Sequence, residues 1–152
     1  MRIRILSFGH KRDELYGAAL AEYQKRIVKP WTIEMNDLPT GRKSEREAAA
    51  VVMRREAEAL ADLASPWVLD VGGTAVSTEQ LADWLRGAQD GGTKQLAFII
   101  GGADGIDATV KQRAARRLSL SKLTLPHRLA RVVLIEQIYR AQTILRGEAY
   151  HK

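Results

Sequence analysis

The sequence predicts an α/β domain with a mostly parallel sheet and helices on both faces. Short apolar segments alternate five times with segments of helical periodicity over the 152 residues, and an alternating βα order favours a parallel sheet. The run Gln95–Ile100 is apolar after its first residue, which is typical of a strand covered on both faces. A chain of this length favours one domain, so we expect a single domain over residues 1–152.

In the first half of the chain, periodicity predicts a strand over Arg2–Phe8, a helix over Asp13–Ile27, a strand over Trp31–Leu38 and a helix from Ser44 to about Ala64. The first helix stops before Pro30, which cannot continue it. Ser44 with Glu47 three residues later forms a capping-box pattern, which predicts that the second helix begins there.

In the second half, the predicted elements are a strand over Trp67–Val71, a helix from Ser77 to about Ala88, a strand over Gln95–Ile100, a helix from Asp107 to about Arg117, a strand over Leu118–Leu125 and a helix over Arg128–Leu145. Ser77 with Gln80 forms a second capping box. The last helix is apolar most of the way round, which predicts burial on two sides. A second copy of the chain on one side is our interpretation, and a central core helix of a monomer is the alternative.

Three predicted strands run directly into glycine or proline: Trp67–Val71 into Gly72-Gly73, Gln95–Ile100 into Gly101-Gly102, and Leu118–Leu125 into Pro126. In open α/β sheets, ligands bind outside the carboxyl ends of the strands. The sequence therefore predicts one small-molecule pocket in the second half of the chain.

The charge distribution favours an anionic partner. The net charge is +6, and the stretch from Ala108 to Ile135 holds no acidic residue and seven basic ones: Lys111, Arg113, Arg116, Arg117, Lys122, Arg128 and Arg131. A stretch of one sign beside a pocket is the footprint expected for a polyanion, although an ordinary solvated helix face has the same composition. Few aromatic residues are present, which argues against a base-stacking sheet.

Several chemistries are excluded or disfavoured. The chain has no cysteine, so disulfides, iron–sulfur clusters and a thiol nucleophile are excluded, and its three histidines lack metal-ligand spacing. Gly41-Arg42-Lys43-Ser44 is not a P-loop, because Arg42 separates glycine from lysine. A pocket of backbone turns suits a reaction that needs positioning more than activation, and methyl transfer from S-adenosylmethionine is one such reaction among several.

Specific motifs add a resemblance. Ile99-Ile100-Gly101-Gly102-Ala103-Asp104-Gly105, Leu123-Thr124-Leu125-Pro126-His127 and the ending Tyr150-His151-Lys152 closely resemble the RlmH family, and the likeness runs essentially end to end. The resemblance implies a SPOUT-class methyltransferase that methylates N3 of a pseudouridine in large-subunit 23S ribosomal RNA. It also implies S-adenosylmethionine as donor, the assembled ribosome as target, a homodimer, and a C-terminal trefoil knot.

The resemblance carries residue roles. It implies that the cofactor is held by the positions Leu69, Gly101, Gly102, Leu120, Ser121, Lys122, Leu123, Thr124 and Leu125. We expect RNA contacts from His127, Arg128 and Arg131 at the start of the last helix, with packing or capping as the alternative for His127. Arg140 is expected to pair with Glu136.

The tail is the candidate catalytic element. Chain termini usually fray, so an ending in Tyr150 and His151 is informative. We hypothesise that the tail covers the pocket, its own or a partner's, and that His151 accepts the N3 proton, because imidazole titrates close to neutral pH. Solvent is the alternative acceptor.

Two other functions remain open from the residues alone. One is a non-catalytic basic module that binds RNA or ribosomes, and the other is a flavodoxin-like nucleotide or flavin binder. We expect a cytoplasmic protein with no metal and no membrane association, since the sequence has neither a signal peptide pattern nor a spanning apolar run.

Overall fold

The computed structural model describes residues 1–9 and 15–151. Within them the strands are β1 (Arg2–Phe8), β2 (Thr32–Leu38), β3 (Trp67–Ala75), β4 (Gln95–Ile100) and β5 (Arg116–Ser119). The helices are α1 (Gly17–Arg26), α2 (Ala49–Glu58), α3 (Thr78–Asp90), α4 (Ala108–Arg113) and α5 (His127–Leu145). The predicted βα alternation is confirmed, and the start of the first predicted helix, Asp13, lies outside the described residues.

The five strands form one sheet in the order β2-β1-β4-β3-β5, and every pair of neighbouring strands is parallel. β4 therefore lies at the centre, although it is fourth in the chain. All strands point their carboxyl ends to the same edge, so the loops that follow them meet there. This edge holds the cavities described below.

Helices cover both faces of the sheet, as predicted. Ile3 and Ile5 of β1 pack in a core under α1, α3 and α5, whereas Leu6 and Phe8 of the same strand pack on the opposite face under α2 and α4. β4 is buried on both faces, because Phe98 belongs to the first core and Ile99 to the second. None of the helices in the described part is long and apolar enough to cross a membrane.

Two helix starts show how far local signals reach. The capping box of Ser77 and Gln80 opens α3, with both reciprocal hydrogen bonds formed. The box predicted at Ser44 is wrong: α2 begins at Ala49 and ends at Glu58. Glu47 does accept a hydrogen bond from the Ser44 N–H, but its carboxylate also pairs with Arg55 at 2.7 Å and accepts from the Lys43 N–H. The segment therefore folds as a braced loop instead of a first helical turn.

Two strands differ from the prediction. The pair Gly72-Gly73 does not end β3; the strand continues to Ala75, and its pairing with β5 shifts register between Leu69 and Thr74. A β-carbon on Gly73 would lie 2.7 Å from the backbone of Arg117, so this close approach requires glycine. The strand predicted over Leu118–Leu125 ends at Ser119, and residues 120–126 form a loop.

The last helix packs between α1 and α3 over the sheet. Eight of its residues are buried, including Leu134, Ile135 and Ile138. Val132, Val133 and Tyr139 are only half-buried, so the helix keeps a partly open apolar side. The trefoil knot implied by the resemblance stays a prediction.

Candidate functional site

A cavity of about 270 Å³, here called the first cavity, lies where β3 shifts its register and where β4 and β5 end. Most of its lining comes from three chain segments, residues 69–71, 100–103 and 118–125 without Lys122. The structure thus brings together Leu69, Gly101, Gly102, Leu120, Ser121, Leu123, Thr124 and Leu125, which are eight of the nine positions expected to hold a cofactor. The side chain of Lys122 is exposed and does not line the cavity.

The turn after β4 can form this wall only because it lacks side chains. A β-carbon on Gly101 would lie 2.5 Å from Cγ1 of Ile106 and 2.8 Å from the carbonyl oxygen of Gly105. A β-carbon on Gly102 would lie 2.9 Å from the Glu56 carboxylate. The Gly102 carbonyl accepts a hydrogen bond from the Gly105 N–H at 3.1 Å, which closes the turn.

The loop after β5 presents a wall of leucine and backbone. The Ser119 hydroxyl donates to the Ser121 carbonyl at 3.0 Å, and the Leu123 N–H donates to the Ser121 hydroxyl at 2.9 Å, which fixes the bend. Leu123 is 75% exposed and Val71 is 58% exposed, and both line the cavity. Two exposed apolar side chains at one mouth suit a flat apolar ring between them.

A charged cluster lies at the β3 side of the first cavity. The Asp70 carboxylate accepts from Arg117 at 2.6 Å and from Lys111 at 3.3 Å. Burial raises the pKa of Asp70, but the hydrogen bond from Arg117 and the charge of Lys111 outweigh it, so the pKa lies below its usual value. Asp70 and Lys111 both line the cavity as an ion pair.

A second cavity, of about 400 Å³, lies on the other side of the turn after β4. It occupies the ends of β1 and β2, and its lining includes Phe8, Thr40 and Ser44. It shares Gly102, Ala103 and His127 with the first cavity.

An ion pair, Arg42–Asp104, and a buried acid, Glu56, hold the segments around the second cavity. Nη2 of Arg42, in the loop after β2, lies 2.6 Å from Oδ1 of Asp104, in the turn after β4. Glu56 is buried and its carboxylate accepts from the Gly41 N–H at 3.0 Å and from the Thr40 hydroxyl at 3.4 Å. The ion pair joins two segments that line the cavity, and Glu56 ties the loop after β2 to α2.

The residues expected to contact RNA lie in different environments. His127 begins α5 and lines both cavities, and Arg128 is exposed beside it. Arg131 is buried, and its Nη2 lies 2.8 Å from the Asp37 carboxylate. RNA binding by Arg131 stays a prediction, and Nε and Nη1 of its buried guanidinium have no hydrogen-bond partner among the described residues.

Folding pairs several basic residues of the stretch Ala108–Ile135 with acids from outside it, so fewer of its positive charges stay unpaired. Asp70 and Asp37, both outside the stretch, pair with Lys111, Arg117 and Arg131. Arg113 donates to backbone carbonyls of residues 60 and 61, and Arg116 stacks on Trp84 at 4.0 Å from the ring centre. Lys122 and Arg128 stay exposed beside the cavity mouths.

The tail is ordered against its own subunit, away from both cavities. Tyr150 packs edge-on against Tyr139 with ring centres 4.7 Å apart, and its hydroxyl donates to Glu136 at 3.2 Å. His151 Nε2 lies 2.8 Å from the Glu79 carboxylate. Glu136 is nine residues after His127, which places it roughly 13 Å along the helix. In this arrangement neither Tyr150 nor His151 lines a cavity of its own subunit.

The contacts of the tail also set the protonation state of the Tyr150 phenol. Burial, with hydrogen bonding to Tyr23 and the charge of Glu136, raises the pKa of Tyr150 to about 12. Its phenol is a hydrogen-bond donor at neutral pH and does not accept a proton. Arg140 pairs with Glu136 at 2.6 Å, as predicted, and lies over the Tyr150 ring.

Sequence reasoning missed the residues that support the cavities. Glu56 lies in a helix whose charged pattern gives no sign that this one carboxylate is buried. In the sequence Arg42 only interrupts a P-loop pattern, and Asp104 only belongs to a glycine-rich turn. Asp70 had the clearest signal, an acid within an otherwise apolar predicted strand. No group of three or more His, Cys, Asp or Glu side chains in residues 1–9 and 15–151 could hold a metal ion.

Comparison with known proteins identifies the family. The family model "Predicted SPOUT methyltransferase" matches residues 1–151. The chain is 42% identical to the ribosomal RNA large subunit methyltransferase H of Anaeromyxobacter sp. (strain Fw109-5), with all of both chains covered. It is 44% identical to the protein of the same name from Psychrobacter sp. (strain PRwf-1), covering 100% of this chain and 99% of the relative.

A solved structure shares the fold. TrmJ from Z. mobilis ZM4 superposes with a TM-score of 0.53 at 15% identity, covering 92% of this chain and 70% of TrmJ. At this identity the likeness concerns the fold alone. The whole-length family match and the full-length relatives together place the chain in the SPOUT methyltransferase family, among the ribosomal RNA large subunit methyltransferase H proteins.

Proposed function

We propose that this protein transfers the methyl group of S-adenosylmethionine to N3 of a pseudouridine in large-subunit 23S ribosomal RNA. It does so on the assembled ribosome in the cytoplasm, as a homodimer of single domains spanning residues 1–152. The observation that carries the proposal is the first cavity, which brings together the segments 69–71, 100–103 and 118–125 in a chain of a methyltransferase family.

The residues of the first cavity fit the donor. Val71 and Leu123 provide apolar cover for an adenine ring, and the backbone of residues 120–125 provides N–H and C=O groups at its edge. The paired Asp70 and Lys111 offer both charges to the amino-acid end of the molecule. S-adenosylmethionine supplies a methyl group that is already electrophilic, so the protein needs no nucleophile of its own.

Two tasks are left to the chain. Gly101 and Gly102 let the backbone approach the donor closely, which fixes the methyl group in line with the acceptor nitrogen. As the bond from N3 to the methyl carbon forms and the carbon–sulfur bond breaks, the N3 proton must leave. His151 is the proposed acceptor of this proton, and Tyr150 anchors the tail through its ring and its hydrogen bond to Glu136.

The tail contacts support catalysis between two subunits. His151 pairs with Glu79 and does not line the first cavity of its own chain, which supports a role in a partner's cavity. The half-buried apolar side of α5, with Val132 and Val133, is where we place the second subunit. Each active site then combines the first cavity of one subunit with the tail of the other.

Mixed dimers test this arrangement. One subunit carries Gly101→Val, which closes the first cavity, and the other lacks residues 150–152. Neither variant alone should methylate RNA, but the mixture should recover activity, because the intact cavity meets the intact tail. If tail and cavity acted within one subunit, no mixed dimer would hold a complete site, and the mixture would stay inactive.

The test of the reaction itself is mass spectrometry of ribosomal RNA. Cells that lack the protein should lose one N3-methylated pseudouridine of the large subunit, and purified protein with S-adenosylmethionine should restore it on intact ribosomes. Unchanged modification would instead favour a ribosome-binding module without catalytic activity. A yellow purified protein that does not bind S-adenosylmethionine would favour a flavin binder.

A further inference from the structure

We propose that the second cavity binds the methyl-accepting base, a uracil-type ring turned out of the RNA stack. The inference rests on the proposed function and extends it, because the first cavity accounts only for the donor. Enzymes that modify a base take it out of the stack into a pocket, and this pocket must open on the donor site.

The position of the second cavity is the first support. β4 is the central strand, and the turn after it separates the two cavities: the first lies towards β3 and β5, the second towards β1 and β2. Both cavities are bounded at this turn by Gly102 and Ala103. Because these residues are small, and because His127 lines both cavities as well, the two cavities lie side by side at this turn.

The chemical lining is the second support. The first cavity is lined mainly by leucine, isoleucine and backbone, whereas the second is lined by polar side chains such as Thr40, Ser44 and Asp104. A uracil-type base presents an N–H between two carbonyls, so it needs both donors and acceptors. The volume of the second cavity, about 400 Å³, lies within the usual range of small-molecule sites.

The rigidity of the walls is the third support. The Arg42–Asp104 ion pair joins the loop after β2 to the turn after β4, and the Arg42 guanidinium also donates to the Glu47 carbonyl at 3.2 Å. Glu56 ties Gly41 and Thr40 to α2. A pocket held this way is formed before the base arrives. Lys43 stands exposed at its rim, where a flanking phosphate would lie.

A filled pocket tests the assignment. Ser44→Trp adds a large ring at a residue that lines the second cavity, and Arg46→Trp adds the same ring on the same loop at a residue that does not line it; both positions are exposed. Both variants should bind S-adenosylmethionine with wild-type affinity in calorimetry. Ser44→Trp should lose roughly 100-fold in kcat/KM on ribosomes, and Arg46→Trp should stay near wild type.

A direct binding measurement keeps the test decisive. With S-adenosylhomocysteine saturating, a titration with pseudouridine 5′-monophosphate should shift the amide NMR signals of Phe8, Thr40 and Ser44 in the wild type, and Ser44→Trp should abolish these shifts. Wild-type activity in Ser44→Trp, equal losses in both tryptophan variants, or shifts confined to another surface would overturn the assignment. If the wild type binds the nucleotide here but methylates no pseudouridine, the proposed function fails and the base site stands.

Discussion

Replacing Gly101 by alanine tests whether the turn after β4 requires glycine for a close approach. The new β-carbon would lie 2.5 Å from the Ile106 side chain and 2.8 Å from the Gly105 carbonyl oxygen. Because Gly105 O belongs to the backbone, rotation of a side chain cannot relieve the contact, and the turn itself must move. Overpacking of this kind costs about 1–3 kcal/mol. For a chain of this length that lowers Tm by about 2–12 °C.

The matched control is Gly87→Ala in α3. A β-carbon there meets nothing within 4 Å, so the substitution only removes backbone freedom from a helix. It should stabilise the protein by about 0.5–1 kcal/mol. The two glycine-to-alanine changes are therefore expected to have opposite signs.

Thermal unfolding and calorimetry with S-adenosylmethionine measure both effects. Gly101→Ala should unfold at lower temperature and bind the donor more weakly, because the displaced turn is a wall of the first cavity. Gly87→Ala should unfold slightly higher and bind as the wild type does. A Gly101→Ala protein with unchanged Tm and unchanged affinity would refute the role given to this turn.

Two further predictions concern the loop after β2. Glu56→Ala should cost about 1–3 kcal/mol in urea unfolding, because the half-buried Gly41 N–H loses its acceptor, whereas Glu56→Gln keeps an acceptor oxygen and should cost less; equal losses would contradict this. The hydrogen bonds from Arg55 and the Lys43 N–H lower the pKa of Glu47 to about 2 from its usual 4.5. Its stabilisation is therefore complete above pH 4.5 and lost as pH falls towards 2. The stability gap between wild type and Glu47→Gln should close over that window, and a gap that persists at pH 2 would disprove the assignment.

The sequence predicted correctly those elements whose signal lies within a few neighbouring residues. The strand Gln95–Ile100 is found with the predicted bounds because continuous apolar residues need cover on both faces, and the Ser77–Gln80 box opens α3 because its partners are three residues apart. The Ser44–Glu47 box failed because a residue eight positions away, Arg55, competes for the same carboxylate. No periodicity could have revealed that contact.

Of the two cavities, only the first could be predicted from the sequence. Strand ends marked by glycine predicted the first cavity, because parallel strands bring their carboxyl ends to one edge whatever their order. The second cavity depends on the order β2-β1-β4, which places the loop after β2 opposite the turn after β4, and the sequence does not specify that order. The burial of Arg131 against Asp37 likewise depends on long-range packing, so counting charges along the chain overstated the exposed positive surface.

The most direct test of the central claim is a crystal structure of the protein with S-adenosylhomocysteine. The account predicts the adenine between Val71 and Leu123, with its edge on the backbone of residues 120–125 and the sulfur facing Gly102. The tail of a second subunit should approach the same sulfur. The ligand bound at any other surface of the chain, or turned with its sulfur away from Gly102, would contradict both the donor site and the base site built on it.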